Sequence, residues 1–149
     1  MTISANSPQM GGAFDPTRDL NFTGQIDVVQ LQNSSPTGRM GWATGAGGIV
    51  TQLTNKSTGV TLNTPCGQIT MNNASLAIDT VVSFTLTNSL IANTDVLIMN
   101  HISGGTVGTY MLNAQCGNGS AVINVTNVIG GTLSEAIVIQ FVLVKAVKA

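Results

Sequence analysis

From Ile49 to the C-terminus, short apolar runs rich in Val, Ile and Thr alternate with clusters of Gly, Asn, Ser and Thr. The runs recur at intervals of about 8–15 residues, the spacing of strands and turns in a sandwich or barrel. They are Ile49–Thr54, Val60–Leu62, Gln68–Met71, Thr80–Thr87, Asp95–His101, Thr109–Ala114, Ala121–Asn127 and Glu135–Val147. The intervening stretches N-K-S-T-G, N-N-A-S, S-G-G-T, G-N-G-S and I-G-G-T supply the turn residues and the positive φ that tight connections need. Asn72–Ile78 also fits a single helical turn, but no amphipathic helix of useful length is present. Eight strands in two sheets predict an all-β fold, a jelly-roll-like antiparallel β-sandwich, because packing two sheets is one way such chains manage their edges.

The longest run, Glu135–Lys145 (E-A-I-V-I-Q-F-V-L-V-K), breaks the alternation expected of a strand with one wet face. Its odd positions Ile137, Ile139, Phe141 and Leu143 are the bulkier set and predict the core face. The even positions Val138, Gln140, Val142 and Val144 carry one polar residue, so water alone is a poor cover for them. They are expected to form a contact between subunits. A helical reading fails because the run is about half the length that spans a bilayer.

The first 48 residues follow a different pattern. They hold every proline but Pro65, both arginines and the lone tryptophan. A-N-S-P-Q-M-G-G, Q-N-S-S-P-T-G and A-T-G-A-G-G are turn and linker material. Between them, Gly24–Gln32 has enough alternation for one strand, and F-D-P-T-R-D-L suits a short helical turn capped by Asp15 with Pro16 following. Residues 1–48 are therefore expected to be an extended arm, and 49–149 the sandwich. Phe14, Phe22, Met40 and Trp42 would be exposed on a free arm, so they either dock on another surface or fold back onto this chain's own sandwich.

Composition narrows the class. The 149 residues suffice for one domain with a real core. Only 7% of them are charged, against roughly 25% in average globular proteins. Thr, Ser, Asn and Gly take the place of charge, a mixture common in extracellular and virion β-proteins. Net charge is −1, with the five basic side chains scattered singly. Nucleic acid is disfavoured as a partner because displacing counterions requires clustered Lys and Arg. A polybasic membrane patch is missing for the same reason. The start M-T-I-S-A-N-S-P lacks a basic segment followed by an apolar one, so no signal peptide is expected. Without a secretory route, Cys66 and Cys116 are expected to be packed thiols, although one bridge between them is formally possible.

Candidate chemistry is thin. His101, the only histidine, is compatible with a pairing to Cys66 or Cys116, with Ser103 close in sequence, yet no motif supplies an orienting acid or an oxyanion site. Asp79 and Asp95, expected to flank one hairpin, are a conceivable carboxylate pair for glycoside hydrolysis, but each sits where a turn-forming Asp belongs. Gly45–Gly48, G-A-G-G, lacks the Lys-Ser/Thr of a phosphate loop and precedes a strand. Neither metal ligands nor a cofactor motif are spaced as a site. No catalytic, cofactor or metal residues are assigned.

One resemblance bears on function. Val50–Asn63, Gly67–Ala74, Val82–Asn88, Asn100–Thr106 and Leu133–Phe141, in that order, resemble a β-rich module of tailed-bacteriophage virion proteins. The resemblance covers about two-thirds of the chain and stops short of the arm. It implies a homotrimeric, non-enzymatic module on the outside of a virion, found in head decoration (cement) proteins and in fibres or spikes. A short arm plus one module suits a cement protein, bound to the major capsid protein through Phe14, Arg18, Phe22, Arg39 and Trp42. It would act on the outer capsid surface after assembly in the host cytoplasm. The alternative is a fibre or spike adhesin that binds a host receptor or glycan through uncharged loops.

Overall fold

The computed structural model describes Pro36, Thr37 and residues 39–148. The chain divides into two compact units, Met1–Met40 and Gly41–Ala149. The second unit thus begins at Gly41, ahead of the expected boundary at Ile49. Within the first unit, Arg39 and Met40 are exposed.

Eight strands make up the second unit: β1 (Gly47–Thr51), β2 (Val60–Thr61), β3 (Cys66–Thr70), β4 (Thr80–Thr87), β5 (Val96–Ser103), β6 (Tyr110–Gly117), β7 (Ser120–Asn127) and β8 (Val138–Val144). They form two four-stranded sheets, ordered β1-β3-β8-β5 and β2-β4-β7-β6. The all-β sandwich is as expected. Its wiring is not wholly antiparallel, because β1 pairs parallel to β3 and β2 parallel to β4. Parallel neighbours need a long crossover. The chain provides it by passing through the other sheet: every connection except the β6–β7 hairpin switches sheets.

β8 lies between β3 and β5, so side chains of both neighbours flank each of its faces. Its odd positions are the core: Ile139 and Phe141 are fully buried and Leu143 nearly so, and Ile137, just ahead of the strand, is fully buried as well. Opposite them stand Phe84 and Leu86 of β4, and Ile123 and Val125 of β7. The strand is shorter than its apolar run. Glu135 and Lys145 lie outside it and anchor its two ends through the side-chain bonds described below.

Two corrections concern local structure. Gly47 and Gly48, expected in the arm, belong to β1. Gly48 stands opposite Gly67, and Leu62 fills the space that both leave. A Cβ on Gly48 would lie 2.7 Å from Leu62 Cδ1, and one on Gly67 2.6 Å from Leu62 Cδ2. Asn72–Ile78 is not helical. Leu76, buried, exchanges both backbone bonds with Leu133 at 2.8 and 3.0 Å. The Asn72 Oδ1 takes the Ala74 N–H at 2.8 Å, a local bond that competes with helix.

Buried asparagines close the ends of the sandwich. Asn88, just past β4, donates to Thr64 O at 2.8 Å and accepts the Leu90 N–H. Asn127, at the end of β7, donates to Leu76 O and Gly131 O and accepts the Ile129 N–H. Both are fully buried, and such bonds satisfy backbone groups that water does not reach.

Candidate functional site

The outer face of the first sheet carries the four positions expected at a subunit contact. Val138, Gln140 and Val142 are half-buried, and Val144 is 43% exposed. Their cover comes only from flanking strands, since β8 is central. Register extends the surface beyond β8: Ile98 stands beside Val142, and Val96 beside Val144. These two, more than half exposed, join Val142 and Val144 in one aliphatic group. Next to it lies an amide row, with Gln68 Nε2 donating to Gln140 Oε1 at 3.1 Å and Asn100 paired with Gln140 on the other side. Ile49, 73% exposed, ends that row on β1. The positions of β1, β3, β8 and β5 on this face include no charged residue.

Sequence reasoning missed Val96 and Ile98. The signal was in the run V-L-I-M-N-H, which, like β8, stays apolar on both faces until Asn100.

Of the expected arm contacts, Phe14, Arg18 and Phe22 lie outside the described residues, as does the Gly24–Gln32 strand. Arg39 is exposed, and Trp42 is 54% exposed on the second unit.

The residues considered for catalysis are engaged in structure. The His101 Nε2–H points at two carbonyls, Ser103 O at 3.0 Å and Gly104 O at 2.5 Å. Its ring meets Tyr110 edge-on, centroids 5.7 Å apart. Both cysteines are free thiols and half-buried. Cys66 pairs with Val142 on the outer face of the first sheet, whereas Cys116 is on β6 of the second, its thiol pushed up by burial and then by the charge of Asp95. Asp79 precedes β4 in a left-handed conformation and donates its N–H to Asn127 O. Asp95 precedes β5, at the opposite end of the sandwich. An eight-residue strand spans roughly 26 Å, well beyond the separation of a glycosidase pair. The Asp95 carboxyl is held low by Lys145, whose Nζ lies 2.5 Å away, and by the Ala92 N–H.

At the end of the sandwich where β1, β3 and β5 finish, polar side chains lace the connections together. Lys56, 3% exposed, donates from Nζ to Asn72 O at 2.6 Å and Glu135 O at 2.5 Å. Burial lowers its pKa, against the pull of Glu135. Buried Gln52 donates to Lys56 O and Thr58 O and accepts the Asn72 N–H. The Glu135 carboxylate accepts Tyr110 Oη–H at 2.7 Å, Thr106 Oγ–H at 2.7 Å and Thr106 N–H at 3.0 Å. These donors hold its pKa down, while burial and Glu135 raise that of Tyr110. Consecutive left-handed glycines let the β5–β6 loop pack against this segment: a Cβ on Gly104 would lie 2.3 Å from Ala136 O, and one on Gly105 2.7 Å from Glu135 Oε2. A shallow hollow of about 170 Å³ under this loop is lined by His101, Ile102 and Val107 with Ser103 and the loop glycines. Among the described residues no three potential ligands cluster to hold a metal, and no helix is long and apolar enough to cross a membrane.

No family model matches the chain, and neither the curated proteins nor the solved structures contain a match to it.

Proposed function

We propose that this chain is a non-enzymatic virion structural protein, a homotrimeric decoration protein that binds the outer surface of a tailed-phage capsid and stabilises it. The observation that carries the reading is the uncharged outer face of the first sheet, with Val96, Ile98, Val142 and Val144 side by side. A contiguous apolar group of this kind is suited to association, and the absence of charge removes any like-charge penalty when copies of the same face meet. The resemblance of the sandwich sequence to phage virion modules supports the same assignment.

The mechanism is mass action. A ligand that binds only the expanded shell stabilises it in proportion to occupancy and affinity. A trimer matches threefold and quasi-threefold points of an icosahedral lattice, and three arms acting together turn weak contacts into avid ones. With few charges to screen, attachment depends weakly on salt.

The test is co-sedimentation with undecorated, expanded capsids over a salt series, using the full chain and a chain lacking residues 1–44. Full-length protein is expected to bind at all salt concentrations, and the shortened one to remain folded without binding. Equal binding by both would remove the arm from the mechanism. Failure of both to bind capsids, together with binding to host cells, would replace decoration by the adhesin reading.

A further inference from the structure

Strand register arranges the outer face of the first sheet in rows that run across the strands. Val144 and Val96 share one row, Cys66, Val142 and Ile98 the next. In the row after that stand Ile49 and three amides, Gln68, Gln140 and Asn100, and then come Thr70 and Val138. Along β8, one polar layer therefore interrupts an aliphatic series at intervals of roughly 7 Å. The amides of that layer are incompletely used. Gln68 Nε2 donates to Gln140 Oε1 at 3.1 Å, which leaves the Gln140 N–H groups, the Gln68 Oε1 and the whole Asn100 amide without a partner among the described residues. Any surface that covers the valines also takes water from these groups, and an unpaired amide under cover is costly. The cover must therefore offer donors and acceptors at the height of Gln140 and aliphatic carbon at the heights of Val138 and Val142. A second copy of this face meets both requirements, because rotation about an axis along β8 brings each layer against the same layer of the next copy.

We propose that Gln140 sets the stoichiometry and register of the homotrimer: three copies turn β8 toward a common axis, and the Gln140 amides close a ring in which each Nε2–H donates to Oε1 of the next. The inference rests on the trimer reading above and names the residue that specifies three copies. The chemistry selects an amide. It carries both donors and acceptors, so identical groups bond head to tail around an axis, whereas carboxylates only accept and ammonium groups only donate. The Gln140 Oε1 then accepts from its own Gln68 and from the neighbouring copy, which fills both lone pairs. The valine layers cannot set the register by themselves. Apolar contact is non-directional, and evenly spaced aliphatic layers also match one layer out of step. A single polar layer in an apolar seam removes that freedom at some cost in stability, as a lone Asn does in a coiled coil.

The experiment is sedimentation equilibrium of full-length wild type, Gln140→Leu, Gln140→Glu and Val142→Glu at about pH 8 and about pH 4, either side of the ordinary Glu value of about 4.3. Both positions are half-buried on the outer face, so the variants are expected to fold, with far-UV circular dichroism as the check. Wild type should be one trimeric species at both pH values. Gln140→Leu should still associate but no longer settle on three copies. Gln140→Glu should dissociate at pH 8, its dissociation constant raised tenfold or more. At pH 4 it should return to a trimer, since a protonated carboxyl again has a donor and an acceptor. Val142→Glu should not recover, because its layer offers only aliphatic neighbours and the Cys66 thiol. A Gln140→Leu variant that stays a single trimer or falls to monomer would overturn the proposal while the trimer stands. So would an undiminished Gln140→Glu trimer at pH 8, its failure to recover at pH 4, or equal recovery of the two glutamate variants. Wild type that is not trimeric would overturn the trimer reading and take this inference with it.

Discussion

Replacing Phe141 with Ala tests the strand-face assignment on which the whole sandwich rests. Phe141 is fully buried at the middle of β8, where its cross-strand partners are Gly67 and Met99. Fully burying a Phe side chain is worth about 1.5–3 kcal/mol in transfer free energy. Removing it also leaves a cavity, and the two terms together place Phe→Ala at about 3–5 kcal/mol. The upper part of that range is expected here. Gly67 has no side chain to move into the vacated space, and its backbone is fixed between β1 and β8. Phe84, 3% exposed on β4 across the core, belongs to the same range. For a urea dependence of about 1.5 kcal/mol per molar, a loss of about 4 kcal/mol lowers the unfolding midpoint by between roughly 2 and 3 M. Melts should be run at one protein concentration, because association adds to apparent stability. A loss below about 1 kcal/mol for either substitution would refute the reasoning, since a one-residue slip turns the whole inward set outward.

Two further outcomes follow from the surface and from titration. Val142→Glu is expected to yield monomer or aggregate and Val144→Thr to remain trimeric; wild-type monomer in sedimentation equilibrium at micromolar concentration would sink the subunit contact. The Glu135 carboxyl is held below its ordinary value of 4.5, first by Tyr110 and then by Thr106. The unfolded chain therefore binds the extra proton, so this contribution is present above that value and is lost as pH falls through the folded one. Glu135→Gln should flatten the acid limb of a plot of Tm against pH, to which Asp95, held low by Lys145, also contributes. An unchanged limb in Glu135→Gln would show that this carboxylate is not coupled to folding.

Much of the fold was written in local pattern. The β-branched runs, broken by Gly and Asn, marked all eight strands, because period-two burial and turn chemistry act over a few residues. The inward set of β8 was legible in the same way: a strand has two faces, and the bulkier set went to the core. Pairing was not legible, since which strand meets which depends on contacts distant in sequence. The parallel partners of β1 and β2 were therefore missed, as was the assignment of Gly47 and Gly48 to a strand, which only Gly67 and Leu62 explain. The surface was decided in the same way. Val96 and Ile98 join Val142 and Val144 only because β5 pairs with β8. Lys56 and Glu135 look like ordinary solvated charges in the sequence, and only the meeting of loops distant in sequence turns them inward.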